Sequence, residues 1–284
     1  MERRVLGKTN HRSSIVTLGG AVFIYPVEQE KGDAFVKHAL DSGVNHIDVA
    51  PTYGDAEVKL GKWVKEYRDD IFLGCKTGKR TKKEAEEELR RSLERLQTDY
   101  FDLYQFHGLD TPGDLATVVG KDGALQAFKE AKEEGLINHI GITSHNPVNI
   151  LKALELHDFD TVLLPVNYVL HAHPEPQNDY EPILEKAKER NIGVIAMKSI
   201  AKGPYPTEER TRNTWYQPFT TRDEIEEALR FTLSQPVTTA ATSSDMEIAR
   251  MQIEVAENFS PMDLMEQREL LMKASDYKPL FPRS

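Results

Sequence analysis

The feature that most constrains this chain is an alternation. Eight short apolar runs, near residues 15–19, 45–49, 71–76, 100–107, 139–143, 161–166, 193–199 and 237–241, alternate with eight longer charged stretches of helical period, near 28–42, 56–67, 81–96, 124–134, 147–156, 181–190, 222–234 and 245–258. Such a pattern reads as β/α units on a parallel sheet with right-handed crossovers. Eight consecutive units close into a (β/α)8 TIM barrel of the α/β class, whose active sites sit at the carboxyl ends of the strands; an open doubly wound sheet is the alternative. The segment ahead of the first run is expected to form an N-terminal β-hairpin, and residues 261–274 an extra C-terminal amphipathic helix. No fixed-period repeat or composition shift divides the chain, so residues 1–284 are expected to form one domain.

Local signals support the period. In the third helical stretch Ala85, Leu89, Leu93 and Leu96 recur at three- or four-residue steps, while Glu86–Arg90 and Glu87–Arg91 are spaced for ion pairs on the wet face. Thr81 with Glu84 suggests an N-terminal cap, and Gly135 suits a left-handed helix end. Two connections are long, 108–123 and 201–221; the second carries Tyr205, Trp215, Tyr216 and Phe219. Long loops in a compact barrel are usually functional.

Composition narrows the function. With 46 acidic against 36 basic residues the formal charge is −10, which disfavours nucleic acid or anionic membrane as the main partner and favours a small molecule. A single cysteine, Cys75, forms neither an internal disulfide nor a Cys-based metal site. No stretch approaches the roughly 18 apolar residues of a membrane span, and the amino end lacks an apolar signal core. A cytoplasmic location is expected; the oligomeric state is not legible.

At the expected strand ends the sequence is chemically loaded. Asp48 ends the second barrel strand, Tyr53 follows in a loop turned by Pro51 and Gly54, Lys76 ends the third strand and His107 the fourth. A buried Lys and Asp are costly unless paired, and these two offer the pairing. An ammonium about 4 Å from a phenol, at an effective dielectric near 20, favours the phenolate by up to ~4 kcal/mol, or roughly three pKa units. Tyr53 is therefore expected to act as an acid near neutral pH.

The order Asp48, Tyr53, Lys76, His107 resembles the catalytic tetrad of the aldo-keto reductases. So do Arg4-Val5-Leu6-Gly7-Lys8-Thr9, Leu18-Gly19-Gly20, Asp99 through His107, and Gly135 through Ile142. The resemblance implies a barrel that reduces an aldehyde or ketone with a nicotinamide cofactor, usually NADPH with NADH left open. It implies Tyr53 as proton donor, tuned by Lys76 and Asp48, with His107 orienting the carbonyl. By the same resemblance the cofactor set comprises Gly20, Thr143, Ser144, Asn167, Met197, Lys198, Thr242, Ser243, Met246 and Arg250. Thr143-Ser144 stands where many relatives have Ser-Asn, Met197 where many have Tyr, and Ser243 where NADPH-preferring members often have Lys, with Arg250 a substitute charge. Val22, Phe23, residues 201–221 and Tyr277 to Phe281 are expected to shape the substrate pocket.

Two other readings stand beside this one. His171-Ala172-His173, with His46, Asp48, His107 and His145, suggests a metal-dependent barrel hydrolase. A cofactor-binding regulatory subunit with little turnover is the other, because a fold does not fix a function.

Overall fold

A computed structural model describes residues 1–281. Its eight parallel strands, Val16–Gly19, His46–Asp48, Phe72–Thr77, Phe101–Phe106, Ile137–Thr143, Thr161–Pro165, Gly193–Met197 and Thr239–Ala241, close into a barrel in which the eighth pairs with both the first and the seventh. The barrel helices expected from the sequence surround it, from Gln29–Asp41 to Met246–Glu257, and the extra helix Leu264–Ala274 follows. No helix among the described residues is long and apolar enough to cross a membrane.

Alternation along the strands explains both layers of the core. In the third strand Leu73 and Cys75 join the layer between strands and helices, whereas Phe72 points into the barrel with Leu103, Leu163, Ile195 and Met197. The N-terminal hairpin, Arg3–Val5 paired with Arg12–Ser14, closes the lower end by inserting Leu6 into this inner cluster. Gly7 makes the insertion possible. It has φ +50°, and a Cβ there would lie 2.2 Å from the Gly193 nitrogen.

The structure refines several local expectations. Gly135 is left-handed at φ +77°, as its place at a helix end suggested. The Glu86–Arg90 pair forms at 3.1 Å, but Arg91 turns to Glu88 at 3.0 Å instead of Glu87. Thr81 stands at the N-cap of Lys82–Leu96, yet its hydroxyl donates to the Glu84 carboxylate at 2.6 Å and caps no backbone amide. The 108–123 connection contains a helix, Pro112–Val119, capped by the Thr111 hydroxyl. Residues 201–221 form a strap in which Ala201–Gly203 pairs with Gln217–Pro218. The strap is tied to the last barrel helix: Arg212 pairs with Glu247 at 2.6 Å, the Asn213 N–H donates to Asp245 Oδ2 at 3.1 Å, and the Ser244 hydroxyl donates to the Asn213 carbonyl at 2.6 Å.

Candidate active site

Strand register brings the polar groups to one level. Asp48 pairs across the ladder with Gly19 on one side and Gly74 on the other, and Lys76 pairs with Gln105. Lys76 Nζ donates to Asp48 Oδ2 in an ion pair whose side chains are 1% and 4% exposed, and to the Tyr53 hydroxyl at 3.2 Å. Gln105 Nε2 donates to Asp48 Oδ1 at 2.9 Å. The buried carboxylate is thus held from two sides, which is the condition under which a buried ion pair is tolerated. His107 lies just past its strand, its ring edge-on to Tyr53 with centroids 5.5 Å apart and Nδ1 at 3.4 Å from the Thr52 hydroxyl. Arg80 Nη2 donates to the carbonyls of His107 and Gly108 at 2.9 and 2.8 Å and fixes the turn.

Electrostatics assign distinct states to these groups. Burial alone would lower the Lys76 pKa, but Asp48 and Tyr53 outweigh it and raise it, so the ammonium persists. Burial lifts the Asp48 carboxyl above its ordinary value against the pull of Lys76 and Gln105. His107 is pushed down to about 3, first by burial and then by the charges of Lys76, His145, Arg80 and Lys198, which leaves a neutral imidazole near pH 7. The Tyr53 phenol departs from expectation. Burial raises its pKa more than Lys76 lowers it, so the ammonium offsets desolvation without bringing the free phenol down to neutrality.

Asp48, Tyr53 and His107 face a cavity of about 150 Å³ lined also by Gly19, Ala21, Thr143, His145, Met197, Lys198, Trp215, Thr242 and Ser243, with Lys76 buried behind them. Of the residues assigned to a cofactor from the sequence, Thr143, Met197, Lys198, Thr242 and Ser243 line it. The Thr143 hydroxyl is buried there with no partner among the described residues. The others lie off the lining. Gly20 sits between Gly19 and Ala21, beside Val49. The Ser144 hydroxyl donates to Asp110 Oδ1 at 2.8 Å and to the Leu109 carbonyl at 2.9 Å. Asn167 is an N-cap that accepts from Leu170 N at 2.8 Å and donates to the Lys198 carbonyl at 2.9 Å. Met246 borders a neighbouring space of about 500 Å³ with Arg210, Arg212 and Asp245, and Arg250 borders neither cavity. Val22 and Phe23 are packed in the core, so the adjoining Ala21 and Ile24 line the cavity in their place.

The residues of the metal reading are dispersed. His171 Nδ1 lies 3.0 Å from the Tyr180 hydroxyl, His173 Nδ1 2.8 Å from the Val169 carbonyl, and His46 is bonded to Ser13. No group of three or more His, Cys, Asp or Glu side chains arranged to hold a metal occurs among the described residues.

Comparison with known proteins decides the family. The model of the aldo/keto reductase family matches residues 16–257. This chain belongs to that family. The aldo-keto reductase chain is 30% identical over 217 residues to the uncharacterized oxidoreductase YqkF of Bacillus subtilis, and 30% identical over 226 residues to L-galactose dehydrogenase of Arabidopsis thaliana. Each alignment covers 72% of this chain and 66% of the relative, so the match spans just under two thirds of those proteins. Among solved structures, the holo form of aldo-keto reductase AKR11C1 from Bacillus halodurans superposes with a TM-score of 0.74 at 25% identity, covering 99% of this aldo-keto reductase and 98% of that chain. What these matches establish for the chain is membership of the aldo/keto reductase family.

Two residues that sequence reasoning left out of the tetrad now stand beside it. Gln105 lies on the same inward row as Leu103, and a polar residue on that row was the available signal. His145, weighed in the sequence only as a metal ligand, lines the cavity and is clamped by Asp110 through both Nδ1, at 3.0 Å, and its backbone N–H, at 2.7 Å. Burial would raise the Asp110 pKa, but the hydrogen bonds from His145 and Ser144 hold it well below the usual carboxylate range.

Proposed function

We propose that this protein reduces an aldehyde or ketone to an alcohol with a nicotinamide cofactor, NADPH ahead of NADH, and that Tyr53 is the proton donor. The observation that carries the reading is one constellation: the Lys76 ammonium 3.2 Å from the Tyr53 hydroxyl, Asp48 behind it and a neutral His107 beside it, around one cavity.

The cavity offers groups that fit the cofactor. The orphaned Thr143 hydroxyl suits the carboxamide, Met197 offers an apolar face to the ring, and the Thr242–Ser243 segment would hold the adenosine side. When bound, a reduced nicotinamide supplies the hydride equivalent. The remaining work falls to this chain. The Tyr53 hydroxyl gives its proton to the carbonyl oxygen, and Lys76 stabilises the phenolate left behind. Asp48 and Gln105 fix Lys76, and His107, uncharged, offers an N–H that orients the oxygen. The partner is a small-molecule carbonyl compound, and the setting is the cytoplasm.

The test is turnover against binding. Purified protein titrated with NADPH and NADH is expected to bind NADPH more tightly and to consume it when simple aldehydes are added. Tight binding with no consumption across an aldehyde panel would favour the regulatory-subunit alternative and overturn the proposal.

A further inference from the structure

We propose that Gln105 is a dedicated positioning residue for the reduction: it keeps the Asp48 carboxylate charged and turned towards Lys76, and the barrel carries a glycine at position 141 so that it can. The proposal rests on the reading of this cavity as a carbonyl-reducing site. It adds a residue that acts only through Asp48 and Lys76, from behind the cavity lining.

The first observation is a burial that the fold does not reward. Gln105 lies on the inward row of the fourth strand with Leu103 and is fully buried. Its amide makes a single hydrogen bond, from Nε2 to Asp48 Oδ1 at 2.9 Å, while Oε1 is buried with no partner among the described residues. A buried amide with a bare carbonyl costs stability that an apolar side chain of similar size does not. The one polar task of this side chain is to hold Asp48, and an unsatisfied buried group of this kind calls for a role at a site.

The second observation is the room made for it. Gln105 stands in register with Lys76 on the third strand and Gly141 on the fifth, and Gly141 with Thr161 on the sixth. A Cβ at Gly141 would lie 2.8 Å from Gln105 Cγ and closer still to the Thr161 hydroxyl. Glycine weakens a strand interior, and its presence there marks a close approach. At the other end the hydrogen bond runs over Gly74, where the position of a Cβ lies 3.7 Å from Gln105 Nε2 and 3.5 Å from Asp48 Oδ1. The side chain thus spans two strands that both carry glycine beneath it.

The third observation is what the bond controls. Lys76 takes Asp48 Oδ2 and Gln105 takes Oδ1, so the carboxylate cannot turn without breaking one of the two. Lys76 in turn reaches the Tyr53 hydroxyl at 3.2 Å. The donor at Oδ1 is neutral, so it favours the charged carboxylate without competing with Lys76 for it. Burial alone would favour the neutral acid, and Lys76 and Gln105 are the groups that oppose it. The other titratable groups around Asp48 are Tyr53, the buried Cys75 thiol and, across the cavity, the neutral His107; the first strand brings only Gly19 beside it. Without Gln105 a single partner holds the carboxylate, which then takes up a proton at higher pH and releases Lys76 from Tyr53.

The experiment uses Gln105→Leu and, as a second and more flexible replacement, Gln105→Met. With 4-nitrobenzaldehyde and NADPH, kcat is expected to fall about tenfold or more at neutral pH through lost alignment, while KM and the NADPH dissociation constant stay near native. The acid limb of the kcat profile is expected to move up by about one pH unit, the size of one hydrogen bond to a carboxylate. Thr161→Ala, on the same inner row, is expected to leave both unchanged. In that background Gly141→Ala presses only on Gln105 and is expected to reproduce the loss and the shift.

A second readout does not need turnover. In protein labelled with carbon-13 at the aspartate carboxyl, the Asp48 signal is the one missing from Asp48→Asn, and its titration midpoint is expected to rise by about one pH unit in both Gln105 variants. An unchanged midpoint and acid limb overturn the proposal. So does an equal loss of kcat in Thr161→Ala, which would make the inner row a matter of packing. A risen Asp48 midpoint in protein that turns over no aldehyde would uphold the hold on Asp48 while refuting the reductase reading.

Discussion

Replacing Lys76 with Met isolates the electrostatic contribution on which the mechanism turns. At the observed 3.2 Å from the Tyr53 hydroxyl, Coulomb's law with an effective dielectric of ~20 gives about 5 kcal/mol of preference for the phenolate, an upper bound. That corresponds to nearly 4 pKa units at roughly 1.4 kcal/mol each. If half of this is expressed in the transition state, turnover falls by about a hundredfold. The same substitution strands the Asp48 carboxylate, whose side chain is 4% exposed, and loss of one partner of a buried pair costs about 3–5 kcal/mol of stability. The two effects separate in the double variant Lys76→Met with Asp48→Asn, which removes the stranded charge. Thermal melting is expected to recover most of the lost stability in the double variant, and the aldehyde assay with NADPH is expected to stay about a hundredfold down. Recovery of turnover in step with stability would refute the electrostatic argument and make Lys76 a structural residue.

Further predictions follow from the same groups. The His107 pKa, lowered to about 3 from 6.5, means that the unfolded chain binds more protons than the folded one between those values. Stability therefore rises with pH across that window and is lost on acidification. The buried His46, also well lowered by burial, acts in the same direction. Because His107 keeps part of its surface open to the cavity, its share is expected to be a few kcal/mol. Scanning calorimetry should show melting falling from pH 7 to pH 4, with His107→Gln flattening the curve; an equally steep curve in that variant would count against the assignment. For the fold, Gly7→Ala is expected to cost several kcal/mol, because the new Cβ meets Gly193 at 2.2 Å. Gly135→Ala, at φ +77° with open space around it, is expected to cost only about 1 kcal/mol. Equal melting temperatures for the two would overturn this account of the hairpin plug.

Much of the architecture was legible because periodicity survives in a barrel: inward and outward residues alternate on strands, and helices carry one apolar stripe. That Asp48, Tyr53, Lys76 and His107 come together was legible because polar residues at or just past buried strand ends stand out against that alternation. What escaped depended on contacts between distant loops. Ser144 and Asn167 have the right chemistry for a ligand, but their polar groups are spent on Asp110 and on the Lys198 turn. The clamp of Asp110 on His145 joins two loops 35 residues apart, and no local pattern signals it. The positive φ of Lys198 belongs to a turn without glycine, so the sequence gives no mark of it. The state of the Tyr53 phenol was misjudged for a related reason: distance from Lys76 can be guessed from strand order, but the desolvation that opposes it comes from the whole surrounding wall.

The most direct test is Tyr53→Phe, which removes one oxygen and keeps the ring against His107. With cofactor affinity measured by titration on the same sample, NADPH is expected to bind almost as tightly as to the native protein while aldehyde reduction is abolished. Reduction at a rate comparable to the native protein would contradict the claim that the phenol delivers the proton.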